Sequence, residues 1–213
     1  MAENTQQPEA KSEFTGGLLG LIGINIVCFF ATVLTLGLLY PWAHCYKQRW
    51  MTNHTKINGN GMVFDGKAMQ LFGSYIKWAL LCIITLFIYA FWVPVKMEAW
   101  TTSHTKAVGA DPAAESTFDG GAGGYLGITI VNFFARILTL GLLTPWAICR
   151  LNRWCAKHTI ISGVQLSFDG LTMQLFGNYI KWYLLTIITF GIYGFWRRIN
   201  MIKWQTKHWV IAG

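Results

Sequence analysis

The sequence repeats itself at two length scales. An offset of 104 residues lays Phe14–Thr105 on Phe118–Trp209 without a gap, with about 50 identities in roughly 90 positions, far more than two unrelated apolar segments share. A second offset, of 50 residues, relates the two quarters within each half. The chain is therefore a tandem duplication of a unit that is itself duplicated.

Each quarter contains one long apolar span. The spans cover residues 17–42, 70–95, 121–146 and 173–196, and their only charged residues are Lys77, Arg136 and Lys181. Each span exceeds the ~20 residues that cross a bilayer as a helix. Only 12% of the 213 residues are charged, too few to cover four fully apolar helices in a soluble bundle. The pattern predicts an all-α integral membrane protein with four transmembrane helices.

The repeats predict how these spans are arranged. We divide the chain into a polar tail (1–13), a first membrane repeat (14–105), a linker (106–117) and a second membrane repeat (118–209). Two spans return the chain to its starting side, so the halves are expected to be parallel and related by a pseudo-twofold axis. One span does not, so successive quarters are expected to be inverted repeats, as in several transporter families. Short alternating segments ending in Asp-Gly predict strand-like connections between spans.

Each span is followed by an aromatic and basic segment. Tryptophan anchors at the level of lipid headgroups and cations attract anionic lipid, which predicts amphipathic interfacial helices that bind anionic phospholipid. An aromatic ligand site is the alternative. The tryptophans are Trp42, Trp50, Trp92, Trp100, Trp146, Trp154, Trp196 and Trp204. The basic residues assigned to this surface are Lys47, Arg49, Arg150, Arg153, Arg197 and Arg198.

Polar groups inside the spans are candidates for a pore or polar interior. Arg136 lies deep in the third span, where a cation is expected to face a bundle interior or water. Asn25, Asn132 and Thr139 are its candidate neighbours. Lys77 and Lys181 lie near the starts of their spans and are expected to reach the interface.

A histidine ends each aromatic and basic segment. The four are His54, His104, His158 and His208. They are weak candidates for a metal site, because the inverted topology pairs His54 with His158 and His104 with His208, and two imidazoles alone bind metal poorly. The alternative is a histidine that packs on the preceding tryptophan at a helix C-terminus. No nucleophile, phosphate loop or metal motif is found, so we expect no enzyme activity, no cofactor and, despite a net charge of +8, no nucleic-acid partner.

The run from Val131 to Phe168 resembles the YjgN-like bacterial inner-membrane proteins, a family of unknown function. The resemblance rests on F-x-G, T-L-G-x-x-x-P-W-A and the segment that follows, in two tandem copies. Phe87, Phe91 and Phe195 depart from the motif. The resemblance implies a multi-pass protein of the bacterial inner (cytoplasmic) membrane and implies no active site.

The leading functional hypothesis is transport or permeation of a small solute or ion. This hypothesis requires a homo-oligomer, because four helices from one chain enclose little space. The alternative is a non-transporting membrane module that binds anionic lipid or a partner protein. Outside the spans, the basic residues divide evenly between the two predicted sides of the membrane, so they give no orientation. The even division fits inverted repeats or, alternatively, spans that are re-entrant.

Overall fold

Eight α-helices and two four-stranded antiparallel sheets form residues 11–111 and 113–212, the part of the chain that the computed structural model describes. The two halves share one order of elements, except that a 3₁₀ helix, Ile88–Phe91, occurs only in the first. The first half contains β1 (Glu13–Phe14), α1 (Leu18–Leu34), α2 (Tyr40–Asn53), β2 (Thr55–Ile57), β3 (Asn60–Phe64), α3 (Ala68–Ile84), α4 (Val93–Ser103) and β4 (Thr105–Ala107). The second half contains β5 (Thr117–Phe118), α5 (Ala122–Leu138), α6 (Thr144–Lys157), β6 (Thr159–Ile161), β7 (Val164–Phe168), α7 (Thr172–Ile188), α8 (Gly194–Lys207) and β8 (Trp209–Ile211).

Four helical hairpins stand on the two sheets. We number them hairpin 1 (α1–α2), hairpin 2 (α3–α4), hairpin 3 (α5–α6) and hairpin 4 (α7–α8). The strand orders are β1-β2-β3-β4 and β5-β6-β7-β8, with antiparallel neighbours. Strands β1 and β3 therefore run parallel, as do β5 and β7. Both hairpins of a half leave the same end of their sheet.

A left-handed turn ends the first helix of each hairpin. In hairpin 1, Leu36 and Gly37 have φ of 50° and 89°, and the Gly37 N–H donates to the Thr32 carbonyl at 2.7 Å. This backbone closure is the usual end of a helix at a left-handed glycine. The positions equivalent to Gly37 are Phe87 (φ 67°), Gly141 (φ 88°) and Gly191 (φ 91°).

A threonine and a proline complete the turn. Thr35 Oγ1 donates to the Ala31 carbonyl at 2.6 Å and accepts the Leu39 N–H at 3.1 Å. Pro41 then lies in the first turn of α2, where its missing N–H costs nothing. The T-L-G-x-x-x-P-W-A run is thus a helix stop followed by a helix start. The other threonines with the same pair of hydrogen bonds are Thr85, Thr139 and Thr189.

The prediction of an all-α protein with four transmembrane helices is wrong. Within the described residues, no helix has both the length and the apolar character needed to cross a membrane, and each half also contains a sheet. The reason is the turn above, which divides every predicted span between two helices. The predicted inversion of successive quarters is wrong as well, because each quarter returns the chain to its sheet instead of leaving it on the opposite side.

One packing unit closes the base of each hairpin. Phe14 packs edge-on against Trp50, with ring centroids 5.8 Å apart, and His54 follows at the end of α2. A Cβ at Gly16 would clash with the Phe14 ring and lie 2.8 Å from Trp50 Cη2. The F-x-G motif therefore lets a tryptophan reach the chain where the hairpin leaves the sheet. The equivalent glycines are Gly66, Gly120 and Gly170.

The two halves contact each other in equivalent ways. Helix α8 packs on β1 and α1, and α4 packs on β5 and β6. Ile57, Met62 and Leu166 form a buried cluster from both sheets. These contacts place one hairpin of each half against the other half. The division into repeats at 14–105 and 118–209 stays a prediction, and residues 1–10 of the predicted tail lie outside the described residues.

Candidate functional site

The turns at the ends of the four hairpins expose large apolar side chains. We call residues 34–39, 84–92, 138–143 and 188–193 the tips. Leu36 is 97% exposed and Phe190 is 99% exposed, and Leu86 and Leu140 are both 83% exposed. Four tips of this kind make an apolar surface that a soluble monomer rarely carries, which marks a surface for contact with another apolar phase.

The tips of hairpins 1 and 4 lie at the same end of the molecule. Phe29 and Phe30, near the end of α1, line one groove together with Gly191 and Phe195, at the start of α8. Within each half, both hairpins already leave the same end of the sheet. The apolar tips therefore share one side of the protein, with the sheets on the other.

A basic cavity of about 530 Å³ lies beside the tips of hairpins 3 and 4. Arg136 reaches it from the last turn of α5, and Arg197 and Arg198 reach it from the first turns of α8. Within residues 11–111 and 113–212, no acidic residue lines it. Burial lowers the pKa of Lys47, and the nearby Arg198 guanidinium lowers it further. The three arginines of the cavity, with no carboxylate beside them, form a site for an anion.

An apolar groove of about 710 Å³ adjoins the basic cavity between α1 and α8. Its walls include Ile26 and Phe29 from α1 and Phe195 from α8. Gly194 and Arg198 line both the groove and the cavity. A molecule with an anionic group and an apolar chain fits this pair of spaces better than a purely polar anion does.

One family model, described as bacterial protein of unknown function (DUF898), matches residues 9–76 and 113–181. The chain belongs to this family. The resemblance to YjgN-like proteins in two tandem copies is thereby confirmed. No curated protein and no solved structure matches the chain.

The polar candidates from the spans lie apart in this DUF898 chain. Thr139 serves the tip turn. Asn132 donates to the Ala147 carbonyl at 3.1 Å and so joins α5 to α6. Asn25 donates to its own helix, at Leu21, and lines the apolar groove that ends at Arg198. Only Arg136 takes part in the basic cavity.

The interfacial tryptophans form two groups. Trp50, Trp100, Trp154 and Trp204 pack at the hairpin bases against the phenylalanines of the F-x-G motifs. The others start the second helix of each hairpin, beside the tips. Of these, Trp42, Trp92 and Trp196 are exposed, while Trp146 is half-buried beneath the Arg150 guanidinium, 5.2 Å from the ring centroid. Only this second group lies where it could meet a membrane surface.

Two of the predicted basic residues have backbone partners. Arg49 donates to the Gly66 carbonyl at 3.2 Å, and Arg153 donates to the Gly170 carbonyl at 2.8 Å. These bonds hold the second helix of one hairpin to the start of the next. Two of the basic residues predicted to face lipid therefore form hydrogen bonds within the protein.

The four candidate histidines follow the second helix of each hairpin. They lie on one side of the molecule, at the hairpin bases. His54, His104 and His208 each place Nδ1 within 2.8 Å of the carbonyl of the tryptophan four residues before, and His158 Nδ1 lies 2.7 Å from Asp119 Oδ1. Within the described ranges, no group of three or more potential ligands could hold a metal ion.

Sequence reasoning missed the partnership of Arg136 with Arg197 and Arg198. The sequence pattern places the three on different surfaces, because Arg136 lies in a predicted span and the other two lie in the aromatic and basic segment that follows a span. The signal that could have joined them is the T-L-G-x-x-x-P-W-A run, whose glycine and proline mark a turn. If this run is a turn, Arg136 lies next to a hairpin tip and not in the middle of a span.

Proposed function

We propose that this chain binds anionic phospholipid at the surface of a bacterial inner membrane, with the hairpin tips inserted among the acyl chains. The observation that carries the proposal is the basic cavity that opens into an apolar groove beside exposed apolar tips. A phosphate has its counter-ions in the cavity, and an acyl chain has an apolar channel in the groove.

Charge supports an anionic ligand. Arg136, Arg197 and Arg198 share the cavity, and its other lining residues carry no acid. Cations near an anionic membrane surface each contribute roughly 1 kcal/mol. Three such residues together are expected to contribute about 3 kcal/mol, or roughly 100-fold in affinity.

The apolar surface supports insertion without crossing. The tips project leucine, isoleucine and phenylalanine side chains on the same side as the cavity, and tryptophans such as Trp196 lie just behind them. This order, from apolar tip to aromatic ring to cation, matches the order of a membrane interface from acyl chain to headgroup.

The test is co-sedimentation with vesicles of phosphatidylcholine alone and of phosphatidylcholine mixed with phosphatidylglycerol. We expect the triple variant R136Q/R197Q/R198Q to bind the mixed vesicles about 100-fold more weakly and to keep its binding to phosphatidylcholine. A second variant, L140S/F190S, is expected to weaken binding to both vesicles, because it removes two apolar tips.

The control variant K11Q/K157Q/K207Q removes the same charge from the sheet and the hairpin bases. Lys11, Lys157 and Lys207 are all exposed there. We expect it to retain the preference for the mixed vesicles. An equal loss in both triple variants would reduce the effect to net charge and would contradict a site at the basic cavity.

Fewer observations support transport by a homo-oligomer than support lipid binding. That hypothesis is motivated by the nested repeats of predicted transmembrane spans and by Arg136 deep inside one of these spans. In the described residues, no helix is suited to crossing a membrane, and Arg136 is exposed near a tip. Transport, the homo-oligomer and the expected lack of enzyme activity stay predictions.

A further inference from the structure

A second cavity, of about 630 Å³, lies between the halves at the contact of α4 with β5. Glu98 of α4 lines it from the first half, and Asn152, Trp154 and Cys155 of α6 line it from the second. We call it the acidic cavity. Its volume is in the range of pockets that bind small molecules.

Glu98 has no cation beside it. Among residues 11–111 and 113–212, no basic nitrogen lies within 4.0 Å of its carboxylate. Many protein atoms lie near this carboxylate, and this partial desolvation raises its pKa. The side chain also has a large solvent-accessible surface, which lines the open cavity. A carboxylate in this position is available to pair with a bound cation.

Aromatic rings face the same space from both halves. Tyr40 stacks on Tyr75 with centroids 5.5 Å apart, and Trp154 contacts Phe118 and Tyr125 with centroids 5.9 and 6.0 Å away. All five rings line the cavity. Aromatic faces attract cations that lie within about 6 Å of the ring centroid.

We propose that the acidic cavity binds a small organic cation, with Glu98 as the counter-ion and the aromatic rings around the cationic group. The class includes quaternary ammonium compounds. A ligand with its own carboxylate is disfavoured, because Glu98 would repel it. This site is distinct from the basic cavity and does not depend on lipid binding.

The experiment is calorimetric titration of the full chain with choline. The neutral isostere 3,3-dimethylbutan-1-ol has the same shape without the charge, and tetramethylammonium has the charge without the hydroxyl. We expect choline and tetramethylammonium to bind, and the neutral isostere to bind at least about tenfold more weakly than choline. Equal binding of choline and the isostere would overturn the proposal.

The chain itself supplies the best variant. The residue equivalent to Glu98 in the second half is Ile202, so E98I gives the first half the residue that its duplicate already has. We expect E98I to lose choline binding by at least about tenfold and to fold with an unchanged circular dichroism spectrum. Retained binding in a folded E98I protein would overturn the assignment of Glu98.

A conservative variant separates charge from shape. E98D keeps the carboxylate and is expected to retain part of the affinity. Tighter binding of short-chain phosphatidylcholine than of choline would show that the cation belongs to a lipid headgroup, and would overturn the assignment to a free small molecule.

Discussion

The first-half wall of the acidic cavity is equivalent to part of the basic cavity in the second half, but the two cavities have opposite charge. An offset of 104 residues relates Tyr75 in one to Tyr179 in the other, and both tyrosine hydroxyls donate to the glycine carbonyl of the neighbouring tip, at 3.1 and 3.3 Å. The residues that differ determine the charge. The pairs are Val93 and Arg197, Pro94 and Arg198, and Glu98 and Ile202.

The two sites also differ in how well they are filled. Ile202 packs beside Leu21 and Met51 in a cluster around Phe14. The residues equivalent to these three are Glu98, Tyr125 and Cys155, and all line the acidic cavity. Burial raises the pKa of the Cys155 thiol to about 12, with a further contribution from Glu98. The duplication thus kept the backbone and changed one apolar contact into an open, polar space.

The largest effect is expected from giving the second half the acid of the first. I202E places a carboxylate in the apolar cluster of Phe14 and Leu21, and we expect it to lower the free energy of unfolding by about 2 kcal/mol. Arg198, which lines the same cavity, offsets part of the cost. Urea denaturation measures the loss.

The matched control is K203E, at the next residue, which is exposed. It changes the charge in the same direction and is expected to stay within about 0.5 kcal/mol of the parent. If I202E were as stable as K203E, the contact at Ile202 would tolerate charge as well as the acidic cavity does, and the contrast between the two sites would fail.

A smaller effect of opposite sign is expected from E98I. The pKa of Glu98 is raised in the folded protein, so the folded state binds this proton more tightly than the unfolded chain does. Stability from this group is present below the ordinary carboxyl pKa and falls as the pH rises through the folded-state pKa. E98I should exceed the parent in stability at neutral pH by at most about 1 kcal/mol, since water in the cavity screens the charge.

Urea midpoints near pH 4 and pH 7 measure this difference. The gap between E98I and the parent is expected to widen as the pH rises. A gap of the same size at both pH values would mean that packing, and not the unpaired charge, separates the two residues.

The smallest effect concerns the hairpins that supply the two cavities. Hairpin 2 has Phe87 at φ 67° where hairpin 4 has Gly191 at φ 91°. A left-handed conformation is unfavourable for a residue with a Cβ, so F87G is expected to raise the unfolding free energy by about 0.5 kcal/mol, after the greater flexibility of glycine in the unfolded chain is counted. Thermal unfolding measures the change. The reciprocal variant G191F should be destabilised, and a stabilised G191F would refute the backbone argument.

The family, the duplication and the positions of the apolar segments were predictable from the sequence, because they depend on residue identity and spacing alone. The topology was not predicted, because a span of about 25 apolar residues suits both one long helix and two shorter helices. Thr35, Gly37 and Pro41 decide between them locally, by ending one helix and starting the next. Giving these residues more weight than hydropathy would have predicted the hairpins.

The candidate sites were less predictable than the fold. Arg136 stood out as a charge in an apolar segment, and Arg197 and Arg198 stood out as a basic pair. Nothing in the sequence brings them together, because their contact depends on how α5, α7 and α8 pack. Glu98 has no distinguishing feature in the sequence, since a single acid in a basic segment is an ordinary surface residue until its neighbours are known.

By itself, the sequence determined a fourfold repeat, membership of the DUF898 family, and four apolar segments with charged and aromatic ends. Only the tertiary structure decided that these segments fold back as hairpins, that four of the five histidines lie at the hairpin bases, and that the cavity between the halves is acidic while a cavity in the second half is basic. The physical reason is that repeat and composition are local properties of the chain. The charge of a cavity depends instead on side chains that residues far apart in sequence contribute to one enclosed space.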